Sequence, residues 1–317
     1  QVKPASNSLL MFHKKLSILI ALALVSAKVS AQTSEALPFI RIGHDASREA
    51  MAGAGSLSGA SAAWASYDNA ALSVVGDSRL SVAAGYQRWA PDGSNYINAG
   101  ASYKIGERIG FSAGASYGAG TPYDVYSSTG AKNGSFTPNQ YLLNIGAGVK
   151  ILPFLSAGVN LHSASQALAE GHSHGTIFGD LFVMGNFGGF KAGLGILSVG
   201  TPVYSESGDK FNIPSSTRLA AAYEGVVGSV FAYGAYLDAD YYLFSSSINA
   251  AAGIKLEYNS LIHIMAGYNY GSANAVIPSH ASVGIGASFA GIALDAAYLL
   301  ASETLGGSLM VGLSSSF

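Results

Sequence analysis

From Arg79 to the carboxyl end one pattern recurs: apolar residues at every second position, small or polar residues between them, then a turn signal. Ile109, Phe111, Ala113, Ala115 and Tyr117 alternate with Gly110, Ser112, Gly114, Ser116 and Gly118. Leu155, Ala157, Val159 and Leu161 alternate with Ser156, Gly158, Asn160 and His162, and Ile248, Ala250, Ala252 and Ile254 with Asn249, Gly253 and Lys255. A period of two belongs to a strand that meets different media on its two faces. Composition identifies the outer medium. Hydrophobic residues make up 49% of the chain and charged residues 11%, with 40 glycines, which is too apolar for an ordinary soluble surface. A spanning helix needs roughly 20 mostly apolar residues, and the longest candidate, residues 281–301, is broken by Gly284, Gly286, Gly291 and Asp295. An apolar chain without such a run meets lipid through alternating strands.

The pattern predicts strands near 79–89, 95–104, 108–118, 139–150, 154–163, 176–187, 190–199, 217–224, 230–242, 247–257, 262–271, 280–289, 292–300 and 305–317. That is about 14, an even number, as single-chain bacterial barrels have. The predicted connections alternate in length. Ile105-Gly106-Glu107, Ile151-Leu152-Pro153, Gly188-Gly189 and Ala290-Gly291 are short, whereas 119–138, 164–175, 200–216 and 272–279 are long. Long loops outside and tight turns inside place both ends of the barrel in the periplasm. The expected fold class is therefore all-β: a closed antiparallel transmembrane β-barrel of about 14 strands over residues 79–317, with residues 32–78 as an N-terminal plug segment. A soluble β-sandwich or β-solenoid is the alternative; it does not account for the alternating loop lengths or the scarcity of charge. In the last strand Leu309, Val311, Leu313 and Phe317 share one face, with Ser315 the lapse. This resembles the C-terminal signal that the barrel-assembly machinery reads.

Lys14 and Lys15, the apolar residues 16–25 and Val29-Ser30-Ala31 read as a secretory signal cleaved after Ala31, with residues before Met11 as upstream sequence. A retained anchor is the alternative, against which the shortness of the apolar stretch counts. Export leads to the outer membrane of a Gram-negative bacterium, with its lipid as the first partner. The chain has no cysteine, hence no lipoprotein acceptor and no disulfide. Four of the 16 basic residues and none of the 18 acidic ones precede Gln32, so the remainder carries 12 against 18, a formal −6. Nucleic-acid binding is not expected of it. Between Gln32 and Ser78 the alternation is absent and Ala, Gly and Ser dominate; residues 50–71 are expected to form short helices in the lumen, a loose periplasmic leader being the alternative.

Pro38-Phe39-Ile40-Arg41-Ile42-Gly43, Met51-Ala52-Gly53-Ala54-Gly55 and Asn69-Ala70-Ala71-Leu72 resemble the N-terminal signature of the PorV/PorQ family of Bacteroidetes outer-membrane proteins. Phe39, Ile42, Gly43, Met51, Gly53 and Asn69 carry the match. The family's Arg four residues after the Ile-Gly glycine is Ser47 here, with Arg48 one position later, and its Asn-Pro-Ala is Asn69-Ala70-Ala71. That family is similar to the FadL fatty acid transporters, which implies about 14 strands and an N-terminal plug. The resemblance also implies a component of type IX protein secretion that docks cargo or machinery, with the translocon or cargo proteins as partners.

Chemical motifs are few. Gly114-Ala115-Ser116-Tyr117-Gly118 fits the G-x-S-x-G pattern, but a nucleophile elbow needs a strand-to-helix turn and these residues lie inside an alternating strand. Gly53-Ala54-Gly55 lacks the third glycine of a dinucleotide loop. Glu170-Gly171-His172-Ser173-His174 offers imidazole and carboxylate groups, too few for a closed metal site. No enzyme activity, cofactor or metal is expected. Asp180, Asp238 and Asp240 occupy small-or-polar rows and, with Arg218, Lys255 and Glu257, are candidates for a lumen network that shapes a channel or grips the plug. Tyr86, Tyr103, Tyr117, Tyr223 and Tyr268 are candidates for interfacial girdles. Phe178, Phe182 and Met184 sit on a nominally polar row. Inward apolar residues are what an alternative function, a FadL-like channel for hydrophobic small molecules, requires.

Overall fold

The computed structural model describes residues 35–317 except 206, 273 and 301. The expected signal peptide and its cleavage point lie outside the described residues. In chain order the strands are β1 (Leu80–Trp89), β2 (Ser94–Ile105), β3 (Ile109–Ala119), β4 (Tyr123–Tyr126), β5 (Lys132–Phe136), β6 (Asn139–Leu152), β7 (Leu155–Ala169), β8 (His172–Phe187) and β9 (Phe190–Gly200). They continue with β10 (Val203–Tyr204), β11 (Lys210–Phe211), β12 (Ser216–Val227), β13 (Phe231–Tyr242), β14 (Ile248–Tyr258), β15 (Ile262–Gly271), β16 (His280–Phe289), β17 (Ile292–Leu300) and β18 (Leu309–Ser316). Fourteen of these close into one antiparallel barrel in the order β1-β18-β17-β16-β15-β14-β13-β12-β9-β8-β7-β6-β3-β2. Closure runs from Ser81 opposite Ser316 to Arg88 opposite Leu309, and the Phe317 backbone pairs with Arg79 and Leu80. A closed barrel leaves no unpaired strand edge in lipid.

The alternation sorts side chains as lipid and lumen demand. Leu219, Leu237 and Ile254 stand on the outer wall, more than half exposed, while their neighbours Arg218, Asp238 and Gly253 point inward. Leu309, Val311, Leu313 and Phe317 are likewise on the outside. Aromatic residues on the outer wall fall into two belts. Tyr86, Tyr117, Tyr141, Tyr268 and Tyr298 lie toward the end with long loops, and Tyr103, Phe111, Phe154, Phe187, Tyr223, Phe231 and Tyr258 toward the end with short turns. Rings pair across strands, Tyr117 with Tyr141 at 5.0 Å and Phe231 with Tyr258 at 5.1 Å, spacing at which aromatic pairs contribute about 0.5–1.5 kcal/mol beyond burial. Amphipathic rings at two levels mark the two membrane interfaces.

Three of the expected loops carry ladder structure. Residues 164–175 are not a loop: β7 continues to Ala169 and β8 begins at His172, leaving Glu170-Gly171 as the turn with Gly171 at φ +76°. The long loop after β3 folds into the β4–β5 hairpin, and that after β9 into β10–β11. Beyond the bilayer both faces of a strand are wet, so pairing persists without the alternation that announces it. The last strand starts at Leu309, not near 305, because Leu305 turns into the lumen mouth and is buried there.

Residues 35–78 lie inside the barrel as short helical turns: Pro38–Arg41, Ala46–Ala50, Gly59–Trp64, Ala65–Asp68 and Ala70–Val74. The segment enters at the loop end, where the Ala36 N–H donates to the Asn212 carbonyl at 2.8 Å. It leaves at the turn end, where Lys104 Nζ donates to the Gly76 carbonyl at 2.5 Å. Wall glycines let it approach: a Cβ on Gly267 would lie 2.3 Å from the Met51 carbonyl, and one on Gly158 2.3 Å from the Ala71 nitrogen. Both obstacles are backbone. Overpacking costs roughly 1–3 kcal/mol, so Gly267→Val is expected to open the plug roughly ten- to a hundredfold more often. The barrel should survive. Heat-modifiable gel migration would report the barrel and limited proteolysis the plug; unchanged cleavage in residues 35–78 would contradict the packing argument.

Candidate functional site

The lumen contains a cavity of ≈ 100 Å³ where plug and wall meet, bounded in part by Arg41, Arg48, Glu49, Asp68, Arg218 and Asp240. Its charges come from two wall strands and three plug turns. Arg218 on β12 faces Asp240 on β13 across the ladder and clasps it with two bonds, Nε to Oδ1 and Nη2 to Oδ2, both 2.7 Å. The third guanidinium nitrogen reaches the plug, Nη1 to Asp68 Oδ2 at 2.5 Å. Asp68 also accepts from Arg48 Nη1 at 2.9 Å. Asp240 accepts from Arg41 Nη2 at 3.1 Å, and the Arg41 guanidinium sits 5.5 Å from the Tyr242 ring centroid. Asp238 accepts from the Ser56 backbone N–H at 2.9 Å and from its hydroxyl at 2.7 Å. Burial alone would raise the Asp68 carboxyl, but Arg48 and Arg218 hold it well below the usual carboxylate range.

Other plug groups titrate far from their ordinary values. Burial pushes Glu49 up to about 7, against the pull of Arg48. Burial pushes His44 down to about 3, and its ring lies 4.2 Å from that of Tyr67. Asp45, also raised by burial, caps the Ala46–Ala50 turn by accepting from the Ser47 N–H at 2.9 Å and accepts a second bond from Ser61.

The six lumen candidates do not form one network. Arg218, Asp238 and Asp240 meet at the plug. Asp180 belongs to a separate buried group on β8, where it bonds His162 at 2.9 Å and the Ser198 N–H at 2.6 Å. Lys255 and Glu257 pair with each other at 3.7 Å near the turn end of β14. The separation follows from strand position: residues two apart share a face, but the lumen is partitioned by the plug that fills it. Phe178, Phe182 and Met184 do point inward and are buried, packed against neighbouring residues. Phe182 packs over Gly193 and Gly195, and Phe178 stacks on His162 at 4.6 Å.

Of the motif residues, Phe39 and Ile42 join the apolar cluster at the loop-end mouth. Gly43 leaves room for the Glu49 side chain, Met51 rests on Gly253 and Gly267, and Gly53 takes φ +87° in the following turn. Asn69 donates to the Ser56 carbonyl at 2.8 Å. Ser116, of the G-x-S-x-G stretch, donates to Asn98 Oδ1 at 2.6 Å within the wall. Among the described residues no group of three or more His, Asp or Glu side chains is placed to hold a metal ion. The reading of the sequence missed Arg41, Asp45, Glu49 and Asp68 as site residues. The available signal was density of charge: in a chain with 11% charged residues, Arg41, Asp45, Arg48 and Glu49 fall within nine positions of a segment without strand alternation.

No protein-family model and no curated protein matches the chain. Solved structures do. The toluene transporter TbuX of Ralstonia pickettii is similar over 87% of this chain and 98% of its own, with TM-score 0.57 and 12% identity. The P. putida toluene transporter TodX covers 87% and 99%, with TM-score 0.58 and 14% identity. The monoaromatic hydrocarbon channel CymD covers 90% and 99%, with TM-score 0.59 and 13% identity. At such identities the likeness is one of fold: a closed 14-strand barrel resembling the transporter barrels of the outer membrane.

Proposed function

We propose that the protein is an outer-membrane channel for hydrophobic small molecules whose N-terminal plug closes the lumen at rest. The observation that carries this reading is a wall built to receive a plug: glycines where the plug backbone approaches, and a charge cluster that fastens Asp68 and Arg41 to β12 and β13. The transporter barrels that share the fold support it. The secretion role implied by the plug motif has no counterpart among them, and the motif residues all have packing roles within the lumen. In proteoliposomes the intact chain is expected to accelerate entry of toluene or a medium-chain fatty acid, and deletion of residues 32–78 to change the rate several-fold. Rates equal to protein-free liposomes with and without the plug would remove the channel reading.

A further inference from the structure

We propose that the lumen cavity is a binding site for the ammonium head of a small amine, with the Glu49 carboxylate as counter-charge. The inference deepens the channel reading and rests on it for the route into the lumen. Around the cavity every guanidinium is already matched. Arg41 holds Asp240, Arg218 holds Asp240 and Asp68, and Arg48 holds Asp68 with Asp238 at 4.0 Å. Asp45 is engaged by Ser47 and Ser61. From the strands packed against the Ala46–Ala50 turn, β15 to β18, the inward ionisable groups are His263 and Asp295, which bond each other at 2.5 Å, and His280, which bonds the Pro278 carbonyl. His44 is held neutral by burial. Glu49 remains: its residue is 7% exposed, its carboxyl makes no hydrogen bond or ion pair among the described residues, and it lines the cavity. An unpaired buried carboxyl beside matched pairs makes the site's surplus charge negative, so it selects a cation over an anion.

Size and walls narrow the class further. A cavity of ≈ 100 Å³ is smaller than the ~150 Å³ that accommodates benzene, and its polar lining favours water or a polar head over hydrocarbon. One free carboxylate does not make a metal site, since a divalent ion needs several oxygen ligands. Trp64, Tyr67 and Trp89 line the same space, and aromatic rings attract an organic cation but not a carboxylate.

Calorimetry on the purified full chain in detergent, with propylammonium, propionate and 1-propanol at pH 6 and pH 8, tests the site. Propylammonium is expected to bind at least tenfold more tightly than the other two and more tightly at pH 8, where Glu49 is ionised. Glu49→Gln, whose fold is checked by heat-modifiable migration, should lose that preference and the pH dependence. Equal or tighter binding of propionate or propanol, or a preference that survives Glu49→Gln, would overturn the proposal. If that variant does not fold, the ranking of the three probes on the wild type decides. Toluene entry into proteoliposomes separates the two readings: entry without amine preference sinks only the amine site, and amine preference without entry sinks only the channel.

Discussion

Replacement of Arg218 by methionine is expected to unfasten the plug and turn a closed lumen into a conducting one. Arg218 is 7% exposed and ties a wall carboxylate, Asp240, to a plug carboxylate, Asp68, with bonds of 2.5–2.7 Å. Its loss leaves Asp240 with Arg41 alone and Asp68 with Arg48 alone, with one buried positive charge fewer to balance them. Removing one member of a buried ion pair costs roughly 3–5 kcal/mol, and because undocking carries Asp68 away with the plug and opens Asp240 to water, the strain is relieved by release of the plug. An equilibrium shift of that size is roughly a hundred- to a thousandfold in plug release. Single-channel recording in planar bilayers reads it directly, as openings frequent in the variant and rare in the parent. A double-mutant cycle with Asp68→Asn should return a coupling of roughly 0.5–3 kcal/mol. A variant as silent as the parent, with no coupling, would mean that glycine-backed packing alone holds the plug.

The wall was legible because every wall residue answers to one of two media, so Leu219 and Arg218 announce opposite faces from adjacent positions. Where that constraint ends, legibility ends. The extension of β7 and β8 past the bilayer and the hairpins in the loops rest on backbone pairing that has no periodic signature. The plug was visible as an alanine-rich stretch, and Arg218, Asp238 and Asp240 as polar residues on an inward row. Their partners were not, since Asp68 and Arg218 are 150 positions apart and nothing local in either stretch names the other. Phe178 and Phe182 show the opposite limit: their inward direction follows from alternation, whereas whether they line a void or fill it depends on the plug.

The docked plug should also carry two opposed pH dependences that one substitution each would expose. Glu49 is raised by burial to about 7 from its ordinary 4.5, so its contribution to docking is fully present below 4.5 and is lost as pH rises through 7. His44 is lowered by burial from 6.5 to about 3, so docking is undisturbed above 6.5 and weakens as pH falls below it. Between pH 4.5 and 6.5 the two slopes oppose each other, and the parent should show a shallower profile there than His44→Gln. Asp68, held low, stays ionised throughout that window, while Asp45, raised, adds to the Glu49 trend. At about 1.4 kcal/mol per pKa unit, Glu49→Gln should make docking weaker at pH 4.5 than at pH 7.5 by up to ~3 kcal/mol, Asp45 offsetting part of it. His44→Gln should do the reverse, leaving the plug tight at pH 4.5 and loose at pH 8. Protease sensitivity of residues 35–78, followed from pH 4.5 to 8, gives the three profiles. Parallel profiles for the two variants would show that neither group changes its protonation on docking, and the burial of this pair would then have to be explained by packing alone.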